Sequence, residues 1–120
     1  MAGDQLDTIY RGVIDRLVES CRKGQGQIGA RRARQGKWAA LDEDDQREAQ
    51  ALLAGLEPSA REVLAMMLAQ EFAGGVHETL KALHEAGIAP FDLGYEGTPY
   101  HDFVGRLYGW DWPEDGSGRW

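Results

Sequence analysis

Three histidines carry the most obvious chemical potential in this 120-residue chain. His77, His84 and His101 are each followed by an acid: Glu78, Glu85 and Asp102. Imidazole beside carboxylate is the material of general acid–base catalysis and of metal binding. The spacing does not support either use. Adjacent residues of a helix point about 100° apart and do not face one another. His77 and His84 lie two helical turns apart, roughly 10 Å, too far to share one metal ion. Lys81 falls between them and would repel a cation. No HExxH pattern and no Cys/His cluster is present. Only a tertiary pairing of His77 with His101 and Asp102 would make a polar site. Otherwise His77, at a helix start, reads as a hydrogen-bonding structural residue that could pin the C-terminal segment. No metal or other cofactor is expected.

Nucleophilic chemistry is equally thin. There is no GxSxG, and the single Cys21 falls on the apolar face of the first helix, where a thiol is buried and inert. The run of acids from Asp42 to Asp45 suits a solvated helix start. Two other stretches offer binding rather than catalysis. From Arg22 to Lys37 there are six basic residues and no acid. Arg31, Arg32, Arg34 and Lys37 next to Trp38 could meet phosphates, with Trp38 stacking on a base. They could equally dock on an acidic surface. Near the end, Tyr108, Trp110, Trp112 and Trp120 are too much aromatic surface for a chain this small to bury without partners. Trp110 and Trp112, alternate residues of an extended segment, could share one face. That face would be a lid over the helices, a docking strip for another protein, or a homodimer contact.

The elements that must position these residues read as helices. Leu6, Ile9, Tyr10, Val13, Ile14, Leu17, Val18 and Cys21 recur at three- and four-residue spacing, which predicts an amphipathic helix from Asp4 to Arg22. The Gly-rich, basic stretch 24–40 predicts a mobile loop. A second helix is expected near Asp42, its N-cap, ending with Leu52, Leu53 and Leu56. A third opens at Pro58 or is capped by Ser59, with Val63, Leu64, Met67, Leu68 and Phe72 as its core stripe. Val76, Leu80 and Leu83 form a further stripe about a third of a turn away, so a break at Gly74-Gly75 is expected. Thr98-Pro99 should cap a short last helix with Phe103, Val104 and Leu107 inward. Residues beyond Pro113 read as a disordered tail.

A chain of this length fits one domain, here residues 1–113, with one hydrophobic core. Net charge is −7, which excludes non-specific binding of nucleic acid over the whole surface but not through the local basic stretch. No apolar run is long enough to span a bilayer, and the N-terminus lacks the pattern of a secretory signal. With its lone cysteine, the chain is expected to be cytoplasmic.

Three segments carry a family resemblance: "LEPSAREVLAMML" from Leu56 to Leu68, "GVHETL" from Gly75 to Leu80, and "WDWP" from Trp110 to Pro113. Together they resemble an uncharacterised family of short bacterial proteins, a domain of unknown function. The resemblance spans residues 5–114. It implies no activity. It does imply that His77 and the aromatic tail belong to one architecture.

The expected fold is therefore all-α, a compact bundle of four helices plus a short C-terminal helix and aromatic tail. The expected function is non-enzymatic: a small acidic domain that binds another protein, as immunity proteins, antitoxins and inhibitors of similar size and charge do. Partner-binding residues would be Trp110, Trp112, Tyr108, Trp38, Arg31, Arg32 and Arg34. The rival readings are nucleic-acid contact through residues 22–38, and an enzyme or metal protein centred on His77 and His101.

Overall fold

The computed structural model describes residues 2–38 and 46–114. Among them the chain is all-α, with five helices: α1 (Ala2–Arg22), α2 (Ile28–Gln35), α3 (Arg47–Gly55), α4 (Pro58–Glu85) and α5 (Pro99–Leu107). A single 3-10 turn, Gln25–Gln27, precedes α2. Two compact units can be told apart, one built from residues 1–19 and 74–120 and the other from residues 20–73. The expected cap at Asp42 lies outside the described residues, as does the tail expected to be disordered beyond Pro113, apart from Glu114.

In the unit of residues 1–19 and 74–120, α1 forms as its periodicity requires. Tyr10, Ile14 and Val18 are its buried ridge. Removing one such aliphatic side chain from water is worth about 1.5–3 kcal/mol. Leu80 from α4 and Phe103 from α5 are equally buried. The start of α5 matches expectation. Thr98 is the N-cap, its hydroxyl accepting from the His101 N–H at 3.3 Å, and Pro99 is the first helical residue. Its inner face differs. Val104 is exposed, whereas Asp102 is fully buried beside Phe103. Gly94 lets the preceding loop fold tightly against this cap, because a Cβ there would stand 2.6 Å from the Thr98 carbonyl carbon.

The unit of residues 20–73 corrects the expected loop. Residues 25–35 are helical, and Ala30 and Ala33 are fully buried in one cluster with Leu53 and Ala65. Trp38, Leu56, Leu64, Leu68 and Ala69 pack against that cluster. The segment folds because its small residues permit close approach. A Cβ on Gly26 would collide with the Cys21 Cα and with Phe72, both at 2.8 Å. Gly36 ends α2 in the left-handed conformation, with φ 71°. Beyond it the Gln50 amide donates to the Gly36 carbonyl at 2.9 Å and accepts from the Trp38 N–H at 2.8 Å. Arg61 donates to the Leu53 and Ala54 carbonyls, so a cation closes the C-terminal end of α3.

Helix α4 is the second correction. It begins at Pro58 and passes through Gly74-Gly75 without a break. Its two apolar stripes need not serve one core. Leu64, Ala65 and Leu68 pack in one unit, and Leu80 is buried in the other, whose boundary falls between Ala73 and Gly74. Its first stripe is also turned from the expected position: Val63 and Met67 are exposed while Ala65 is fully buried.

These placements predict opposite outcomes for two glycines. Nothing lies within 4 Å of a Cβ built on Gly75. Gly75→Ala should stabilise the protein by about 0.5–1 kcal/mol, the helix-propensity difference. Gly36→Ala should destabilise it by about 1–2 kcal/mol, since it forces an L residue left-handed and places its Cβ 2.6 Å from the Arg61 guanidinium carbon. Urea unfolding of the two variants measures both. A destabilised Gly75→Ala would overturn the continuous helix.

Candidate functional site

The polar residues singled out near the C-terminus gather in the unit of residues 1–19 and 74–120, where His77 also lies. Asp102 stands at their centre. Its carboxylate accepts from the Tyr10 hydroxyl at 2.5 Å and from the successive backbone N–H groups of Tyr95 and Glu96 at 2.7 and 2.8 Å. A fully buried carboxylate with three donors ties α1, the loop and α5 together. It works as an internal anchor, turned away from solvent and from any substrate.

Next to it runs a second network on α1. The Arg11 guanidinium donates to the Tyr95 hydroxyl at 3.0 Å, to the Pro113 carbonyl at 3.2 Å and to Asp7 at 3.4 Å. Burial opposes the Arg11 charge, but Tyr95 and Asp7 outweigh it and its pKa rises. Tyr95 donates in turn to Asp7. Burial, followed by that bond, pushes its phenol above the ordinary value while Arg11 pulls the other way. Asp15 accepts from Arg106 at 2.7 Å and from the Trp112 indole N–H at 2.9 Å. The Trp112 ring is flanked by the Arg11 guanidinium at 5.3 Å and the Arg106 guanidinium at 5.4 Å. Trp110 meets it edge-on at 5.2 Å, and the Trp110 carbonyl accepts from Arg106 at 2.6 Å. The aromatic tail is thus folded back on α1, with Trp110 and Trp112 half-buried and Tyr108 83% exposed.

The histidines converge on a residue that the sequence did not single out for chemistry. Tyr100 has His77, His101 and His84 around its ring, with centroids at 4.9, 5.7 and 6.1 Å. Their Nδ1 atoms face separate partners. His84 is 3.1 Å from the Phe91 carbonyl, His101 is 3.2 Å from the Thr98 hydroxyl, and His77 is 3.6 Å from a Glu78 oxygen. Among the described residues no group of three or more His, Cys, Asp or Glu is arranged to hold a metal. His101 and Asp102 point apart, the first exposed and the second buried.

The unit of residues 20–73 holds the other candidates. Arg31, Arg32 and Arg34 are exposed on α2. Arg34 pairs with Glu62 at 2.9 Å, and the Arg32 guanidinium lies 5.9 Å from the Trp38 ring centre. Trp38 is half-buried and, with Ala49, Leu52, Leu53, Leu64 and Leu68, lines an open apolar groove of about 140 Å³. Leu52 on its wall is 61% exposed. On α4, Val63, Met66 and Met67 are each at least half exposed, within little more than one helical turn. The sequence pattern assigned Val63 and Met67 to the core, so this surface went unseen. A hydrophobic residue one position round the helix from a buried one reads the same in either direction.

The chain belongs to the family of unknown function DUF6547, whose model matches residues 3–114. No curated protein and no solved structure matches it. No helix among the described residues is long and apolar enough to cross a membrane.

Two outcomes follow from this geometry. Asp102→Asn keeps the shape but turns an amide N–H₂ toward a donor, so stability should fall by about 2–3 kcal/mol in urea unfolding. Burial alone pushes the Cys21 thiol above its ordinary value, leaving less thiolate at any pH below it. Alkylation of Cys21 by iodoacetamide at pH 8 should therefore run at least tenfold slower in the folded chain than in urea. Equal rates would show the thiol to be accessible.

Proposed function

We propose that this protein is a non-enzymatic protein-interaction domain whose working surface is the apolar groove of residues 20–73 and the neighbouring face of α4. The observation that carries this reading is the exposure of Leu52 on the wall of a groove lined only by apolar side chains, with Val63, Met66 and Met67 exposed elsewhere on α4. Methionine suits such a face because its unbranched, polarizable side chain adapts to a partner's shape. The polar residues of the other unit favour the same conclusion by their use. Asp102, Asp15, Arg11 and Arg106 hold α1, the loop and the tail together, which fits a scaffold. An inhibitor or immunity protein is one natural use of a small acidic domain with such a face.

A second reading draws on α2. Three arginines exposed on one short helix could meet the phosphates of a nucleic acid. The two readings separate cleanly by experiment. Purified protein should form a stoichiometric complex with a protein from its native cells, reconstituted from pure components with a Kd below about 1 µM, roughly −8 kcal/mol. Leu52→Arg and Met67→Arg should weaken that complex at least tenfold with helicity unchanged. Binding to a mixed-sequence oligonucleotide that falls steeply with salt and disappears in the Arg31→Ala/Arg32→Ala/Arg34→Ala variant, with no protein complex, would favour nucleic acid instead.

A further inference from the structure

We draw no further inference here: the strongest candidate, the open apolar groove between α3 and α4 lined by Trp38, Leu52, Leu53, Leu64 and Leu68, belongs to the surface already described, and nothing in the structure shows what covers it.

Discussion

In the unit that holds both the histidines and the aromatic tail, the controlling interaction is one buried carboxylate. Moving an ion of this kind out of water costs several kcal/mol unless its lone pairs are satisfied. Asp102 is satisfied by a hydroxyl from α1 and by two successive backbone N–H groups, an arrangement that resembles an anion nest filled by the protein's own side chain. The constraint is reciprocal. Without the carboxylate, the buried Tyr10 hydroxyl would lose this acceptor, and the part-buried N–H groups of Tyr95 and Glu96 would lose theirs. The loop can reach Asp102 because Gly94 passes close to Thr98, and Asp102 lies in the first turn of α5, where the helix dipole favours negative charge.

That anchor decides the fate of the tail. With α5 fixed on α1, Arg106 comes within reach of Asp15, and the chain beyond Gly109 returns along α1. Trp112 then has two guanidinium groups over its ring and its N–H on a carboxylate, so both its π-system and its donor find partners. Of the terminal aromatics, Tyr108 stays in solvent at the turn itself. The aromatic richness that first suggests a docking strip is largely consumed in holding the end of the chain.

Much of this was legible in the sequence, for identifiable reasons. The all-α class, the buried ridge Tyr10, Ile14, Val18 and the Thr98-Pro99 cap follow from periodicity and capping chemistry, which act over one or two turns. Three features were not legible. Residues 25–35 read as a loop because glycine and arginine dominate, yet Gly26, Ala30 and Ala33 are the small residues that close packing demands. The glycine pair in α4 read as a break because one core was assumed for both stripes. Asp102 read as a candidate for catalysis because local pattern cannot reveal that its partners lie 92 residues away on α1 and in the preceding loop.

The exposed face of α4 poses the remaining physical problem. Leucine and methionine are strong helix formers, so Met66 and Met67 could be explained by propensity alone. Glutamine, glutamate or lysine would serve the helix equally well and solvent better. Val63 has no such defence, since a β-branched residue loses rotamer freedom in a helix and here remains 54% exposed. Leu52, across the groove on α3, is more exposed still. In the free chain these side chains are only about half buried. Covering the remainder would be worth about half of what full burial brings, on the order of 1 kcal/mol each. Leu52 lines the groove, and Val63, Met66 and Met67 lie on the same helix as its Leu64 and Leu68, so this unit leaves an unusual amount of apolar surface in water.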